Sequence, residues 1–544
     1  MPEMLSTGRR PAALWLAPAL ALLTACGGSE DTASDGSVST TVQADTRRLI
    51  VQLHPAALAP TATTTDARAL QAEPLQRRTE AAVQGLSQRL LARHGLRAGH
   101  HFTRAIQGFS VEVPAARAEA LRQQLEDDPA VLAVRPDAPV SAGQSMSVRT
   151  LTTAGHWGLD RIDQRKPPLD QRIGTATRGQ GVTVFVVDSG ISPHDQFGGR
   201  LAGGIDVVGD GRGSADCSGH GTHVAGTIGG SVAGVAPEAT LMSVRVLDCN
   251  GSGSIQGVMS GLDWVLSRPE RPAVVNMSLG AGAHDLLDES VQTLLRAGIH
   301  VAVSAGNENA DACLRSPARV PGALTVGASD SADRRASFSN VGRCVDLLAP
   351  GQQILAPDWR STSAERVLSG TSMASPHVAG TMALLLQSRP GLTPPQLAQQ
   401  LIAQATSSVL TQLSGSPNRL LFAGSAPAVP FPATHAVHID LLQGDTVVSR
   451  GHWIARASVR VRNAFGQPVA GVLVNGLYQG ARLPVTCTTA PTGLCTLSST
   501  PQTAAIAELA LAVRWLEGPT VAYRREFDRA RTLSVRRPST LAPR

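Results

Sequence analysis

The stretch Val182-Thr-Val-Phe-Val-Val-Asp188-Ser-Gly190 decides how the rest of the chain is read. Five of its first six residues are Val or Phe. A run this continuously apolar and β-branched suits a strand covered on both faces, as in a parallel sheet between helices. Asp188 then emerges at the carboxyl end, and Gly190 allows the chain to turn. Open α/β sheets place their sites at these strand ends. Standing alone, the segment would hold an ordinary loop aspartate. Similar apolar runs recur at 241–246, 273–277 and 300–304. Segments with helical spacing lie between and after them, at 220–230, 255–267, 287–297 and 372–387. This alternation predicts a doubly wound, mostly parallel α/β core, within a domain set at 150–422.

Two further segments gain meaning beside the first. Ser218-Gly-His220-Gly-Thr-His223-Val-Ala-Gly226-Thr places His220 at a loop-to-helix start, among residues small enough for close packing. Two histidines three apart could suggest zinc, but no third ligand is near and the glutamate of a metalloprotease motif is missing. Leu368-Ser-Gly370-Thr-Ser372-Met-Ala-Ser-Pro376-His377-Val-Ala-Gly380 puts Ser372 at a helix N-terminus. Free backbone N–H groups there suit a developing oxyanion. His377, deeper in the helix, is read as structural. Serine is a poor nucleophile until a base takes its proton, and a carboxylate orients that base. The order Asp188, His220, Ser372 is that of subtilisin, not of chymotrypsin or the α/β-hydrolases.

On these three motifs, residues 157–421 resemble the subtilases, and the proteinase-K-like branch in particular. The resemblance implies a serine endopeptidase with Asp188, His220 and Ser372 as its triad. In Val303-Ser-Ala-Gly306-Asn307 it implies that Asn307 donates to the oxyanion. It assigns Gly251, Ser252, Gly253 and Ile255 to one edge of the substrate cleft and Ser278, Leu279 and Gly280 to the other. An extended peptide would add between them as a strand. No acidic residue marks the floor of the P1 pocket, so a broad, apolar P1 preference is expected. Ile255 stands where relatives often carry an aromatic residue, leaving the P4 preference open. The carbonyls of Pro321 and Ala323 with the Asp346 carboxylate resemble a structural Ca²⁺ site, and oxygen donors suit that cation.

At the N-terminus, Arg9 and Arg10 precede an apolar run at 11–23 that ends in Leu23-Thr-Ala-Cys26. A basic start, a short apolar core and small residues at the exit describe an export signal, here 1–26. The final tetrad resembles a bacterial lipobox, which would lipidate Cys26 and provide the one link to a membrane. Residues 27–47 form a polar linker. Residues 48–140 read as β-α-β-α-β and resemble the inhibitor I9-type propeptide, a ferredoxin-like domain that inhibits its own enzyme. Its tail, 141–153, would lie in the active-site cleft. Trp157-Gly-Leu-Asp160-Arg-Ile-Asp163 resembles the start of a mature enzyme, placing the cut a few residues before Trp157. Residues 433–544 carry short strands with Gly and Pro turns and predict an all-β, immunoglobulin-like accessory domain.

The net charge of +6 comes from scattered arginine, with Lys166 the single lysine. No basic stripe with interleaved aromatics is present, which argues against nucleic acid as a partner. Protein and peptide substrates and a monomer are expected. Setting Cys26 aside leaves six cysteines in an oxidising compartment, which allow fifteen pairings. The resemblance implies Cys217 with Cys249 and Cys313 with Cys344, leaving Cys487 with Cys495. Two rivals are a surface-anchored binding protein with a dead peptidase domain and an esterase using the same triad. The four filled catalytic positions oppose the first.

Overall fold

The computed structural model describes residues 45–58, 75–143, 156–170, 174–424, 436–449, 452–463, 467–479, 485–517, 522–523, 530 and 532–539. The export signal, Cys26, nearly all of the polar linker and residues 144–153 of the expected tail lie outside them. Among the described residues, no helix is long and apolar enough to cross a membrane.

A nine-stranded sheet forms the centre. In spatial order its strands are Thr406–Ser407, Arg419–Leu420, Leu347–Pro350, Leu324–Ser329, His300–Ser304, Ala273–Met277, Thr183–Asp188, Thr240–Arg245 and Leu201–Asp206. All neighbouring pairs are parallel except the short pair at the first edge. Strand Thr183–Asp188 is buried at every position, which is why its sequence does not alternate. Helices cover both faces. Helix Ile255–Ser267 is capped by the Ser254 hydroxyl, which accepts from the Gly257 N–H, and buries Ile255, Val258, Met259, Leu262 and Val265. That is the 3-4-3 spacing of one helical face. Helix Thr371–Ser388 is buried along most of its length and runs through the core. Edge strand Leu201–Asp206, strands Leu324–Ser329 and Leu347–Pro350, and helix Pro394–Gln404 go beyond the elements expected from sequence. The Gly-Gly pair in the edge strand conceals its strand character, and cross-strand pairing supplies what local propensity lacks.

Ahead of this core, residues 46–136 form a four-stranded antiparallel sheet. Its order is Ala98–Phe102, Gly108–Pro114, Thr46–Leu53, Val131–Pro136, with helices Leu75–Ala92 and Ala115–Glu126 packed on it. The sheet docks on the helices Ile255–Ser267 and Asp285–Arg296. Asp263 accepts backbone N–H bonds from Thr103, Arg104 and Ala105 at 3.1, 2.7 and 2.7 Å. Arg135 forks onto Asp285, and Phe102, Ala105 and Ile106 bury into the core on this face of the nine-stranded sheet. Strand Ala98–Phe102, with two histidines in five residues, gave no strand pattern in sequence.

After the core, two four-stranded sheets share one buried cluster that includes Val437, Trp453, Val474, Tyr478, Leu497 and Leu511. Strand His452–Asn463 alternates buried and half-buried residues over its length, the pattern of a sheet with one wet face. The structure holds the disulfides Cys217–Cys249, Cys313–Cys344 and Cys487–Cys495.

Candidate active site

Asp188 ends the central strand, and its Oδ1 accepts the Ser189 N–H at 2.8 Å. The same oxygen accepts Nδ1–H of His220 at 2.7 Å. His220 opens helix His220–Gly229 behind Gly219, whose left-handed backbone (φ 90°) suits glycine. Gly221 is needed for close approach: a Cβ there would stand 2.2 Å from the Gly190 carbonyl oxygen. Asp216, which the sequence reading passed over, organises the loop before His220. Its carboxylate accepts from the Ser189 hydroxyl, the Ser218, Gly219 and Thr222 N–H groups, and the Thr222 hydroxyl, at 2.6–2.9 Å. An aspartate four residues before the histidine, followed by small hydrogen-bonding residues, was the available signal.

Burial pushes the His220 imidazole down, but the Asp188 charge and hydrogen bond, aided by Asp216, outweigh it and leave the pKa raised. His223 takes the opposite course. Burial, with Arg366 nearby, lowers it to about 3. Its Nε2 is bonded to the Ile354 and Arg366 carbonyls at 3.1 Å each, so it is a neutral structural histidine. His377 is similar: burial lowers it to about 4, and Nδ1 meets the Met373 carbonyl at 2.8 Å.

Ser372 lies in the first turn of helix Thr371–Ser388. Pro376 lacks the N–H that would bond the Ser372 carbonyl in a regular helix. The Ser278 hydroxyl replaces it, donating to that carbonyl at 2.9 Å. The Ser372 hydroxyl donates to the Ser278 carbonyl at 3.2 Å, and Nε2 of His220 has no partner. Catalytic hydrogen bonds are often loose before substrate binds. Asn307 is held by its oxygen, which accepts the Thr371 N–H and hydroxyl at 2.8 Å each. Its Nδ2 is thereby left buried without a partner.

Beside Ser372 lies a cavity of about 300 Å³ whose walls include Leu279, Ala305, Ala318 and Asn307. Glu308 and Arg315 also line it. The Glu308 carboxylate is engaged, with Arg315 at 3.2 Å and the Asn340 amide at 2.7 Å. Gly251, Ser252 and Gly253 form one edge of a cleft, and Ser278, Leu279 and Gly280 the other. Strand Pro139–Ser141 of the chain itself runs antiparallel to Ser252–Ser254 and bridges to Gly280. Ile255 is fully buried beneath the first edge.

Pro321 and Ala323 lie just before strand Leu324–Ser329, and Asp346 just before the neighbouring strand Leu347–Pro350. Asp346 Oδ2 accepts the Thr325 N–H at 2.8 Å, and the Pro321 carbonyl accepts the Gln292 amide at 2.9 Å. The carbonyls of Pro321 and Ala323 and the Asp346 carboxylate are all oxygen donors, the chemistry a hard cation takes.

A model of the Subtilase family matches residues 179–424. An extracellular serine proteinase from Thermus sp. (strain Rt41A) is 49% identical over 342 residues, spanning 62% of this chain and 81% of that one. The chain belongs to the subtilase family. This subtilase is therefore a serine-type endopeptidase with the subtilisin-like α/β fold. It is also 45% identical over 322 residues to the alkaline serine exoprotease A of Vibrio alginolyticus, covering 59% of each chain. A crystal structure of a cold adapted subtilisin-like serine proteinase is 50% identical, covering 50% of this subtilase and 98% of that chain, with a TM-score of 0.49.

Proposed function

We propose that this subtilase is exported and hydrolyses proteins through an acyl-enzyme on Ser372. The observation that carries the reading is the buried Asp188–His220 pair, its histidine on a helix that packs against the helix of Ser372, with the unpartnered Asn307 amide lining the same cavity as Ser372. His220 Nε2 takes the Ser372 proton as Oγ attacks the substrate carbonyl, then passes it to the leaving amine. Asp188 fixes the tautomer and stabilises imidazolium. Asn307 Nδ2 donates to the oxyanion. The apolar cavity, with Glu308 neutralised by Arg315, supports a broad and mainly apolar P1 preference. Residues 48–140 act as an inhibitory propeptide, cut by the enzyme itself, and residues 433–544 as an accessory domain. Export rests on the N-terminal signal and on relatives such as the Thermus proteinase, described as extracellular. Lipid on Cys26 would be seen as labelled palmitate in the precursor that is lost in Cys26→Ser.

A fluorophosphonate probe tests the reading. It should form one adduct, mapped by peptide mass to Ser372, and the labelled protein should no longer cleave a peptide amide. An adduct elsewhere, or none, would sink the assignment. Faster turnover of a long-chain ester than of a peptide amide would favour an esterase instead.

The calcium proposal has its own test. A cation bound only by the folded state stabilises it by mass action, about 2.7 kcal/mol at a hundredfold excess over Kd. Chelation should lower Tm and speed self-digestion, and Asp346→Ala should shrink that response. A mutant with an undiminished response would place calcium elsewhere.

A further inference from the structure

The chain's own segment in the cleft has a defined register. Val140 stands opposite Gly253, and Ser141 opposite Ser252. On the other side Ser141 and Gly280 exchange N–H···O bonds of 3.1 and 3.0 Å, and the Ala142 N–H reaches the Gly251 carbonyl at 2.9 Å. Upstream, the Ala138 carbonyl accepts the Ile255 N–H at 2.9 Å. A strand paired along both edges cannot slip by one residue without turning every side chain to the opposite face. Here a slip would lift Val140, 1% exposed and packed in the cluster that holds Ile255 and Leu279, out of its pocket.

Gly143 follows. It lines the same cavity as Ser372 and Asn307, and it passes so close to Asn307 that a Cβ on it would stand 2.6 Å from Nδ2. The carbonyls of Ala138 and Ser141 are taken up by the cleft edges, and Gly143 is the residue of this segment whose backbone stands against the unpartnered Asn307 amide in the cavity that Ser372 lines. We infer that Gly143 supplies the acyl group in the chain's first self-cleavage, with Val140 as the side chain that sets the register. The inference rests on the proposed peptidase reading. It moves the cut from just before Trp157 to the bond after Gly143.

In that step Ser372 Oγ adds to the Gly143 carbonyl carbon while His220 Nε2 accepts the hydroxyl proton. The bond from Gly143 to Gln144 breaks, and the same proton leaves on the Gln144 amine. Water then attacks the ester, giving one proton to His220. Ser372 recovers it as the Gly143 carboxylate departs. One water is consumed, and no oxidant or other reactant is needed. Residues 144–156 stay attached to the peptidase, and the released fragment ends in Val-Ser-Ala-Gly.

The test is an intact-mass time course of the refolding full-length precursor. The earliest new pair of masses should correspond to a fragment ending at Gly143 and its complement beginning at Gln144. Val140→Asp should slow the appearance of that pair at least tenfold, and Val140→Ile should leave it within about twofold. A first cut at any other bond, or an unchanged rate in Val140→Asp, overturns the inference while self-processing stands. Wild-type precursor that stays whole, or the same pair formed from Ser372→Ala, overturns self-processing itself.

Discussion

Ser372→Ala is expected to lower kcat on a peptide amide by about a millionfold, and to fold into a precursor that stays uncut. The size follows from the mechanism. Without Oγ no acyl-enzyme can form, and His220 and Asp188 have nothing to activate. Loss of the nucleophile in subtilisin costs about 2 × 10⁶ in kcat, as much as removing the whole triad. At 1.36 kcal/mol per decade that is about 9 kcal/mol of barrier. Residual catalysis would come from Asn307 and substrate binding. Folding should be little affected, because Ser372 lies on a helix whose Ser372 carbonyl bond to Ser278 is made by the backbone. Titrated kinetics on a peptide anilide, with circular dichroism as the control for folding, would check both parts. Activity within tenfold of wild type would mean that the nucleophile lies elsewhere.

Asp188→Asn should cost about 10⁴ in kcat, in line with the same change in another serine peptidase. It should also move the pH profile. In the proposed mechanism the base is neutral His220, so kcat/KM should rise as pH climbs through the imidazole pKa of the free enzyme. In wild type that pKa is raised, because the carboxylates outweigh burial. The acid limb should therefore have its midpoint above that of an ordinary histidine. Removing the Asp188 charge leaves burial as the main influence, and the midpoint should move toward lower pH. A structural role alone would lower the rate without moving the limb. An acid limb at the same pH in both proteins would show that Asp188 does not govern His220. The unperturbed geometry is expected to persist, since the asparagine Oδ1 can still accept the Ser189 N–H.

The contrast between Asp188 and Asp216 shows where sequence stops being informative. Asp188 was legible because it ends an apolar strand and because His220 and Ser372 follow in a recognisable order. Asp216 bears as many hydrogen bonds as any carboxylate near the site, and its place before a run of small hydrogen-bonding residues hints at that only faintly. Its link to Ser189, next to Asp188, forms only when the loop closes on the strand end. Glu308 is a similar case. A sequence can place it one residue after Asn307, but its neutralisation by Arg315 and Asn340 is a fact of folded geometry. The Ser278 hydroxyl on the Ser372 carbonyl spans 94 residues and answers a proline that was in plain view.

By itself the sequence determined the α/β core, since a sheet buried on both faces demands unbroken apolar strands and helices with a 3-4 spacing between them. It also determined which residue types stand at the strand and helix ends where chemistry can occur. Tertiary structure alone decided the edge strand with its paired glycines and the strand Ala98–Phe102, because there a neighbouring backbone supplies the pairing that side chains do not announce. It alone decided that the segment in the cleft begins at Pro139, two residues before the tail that the resemblance implied, and in which register it lies. Residues 139–143, Pro-Val-Ser-Ala-Gly, are too short and too unpatterned to announce a strand. Their strand character comes from two edges, Ser252–Ser254 and Gly280, that lie more than a hundred residues away and offer free N–H and C=O groups only once the central sheet has formed.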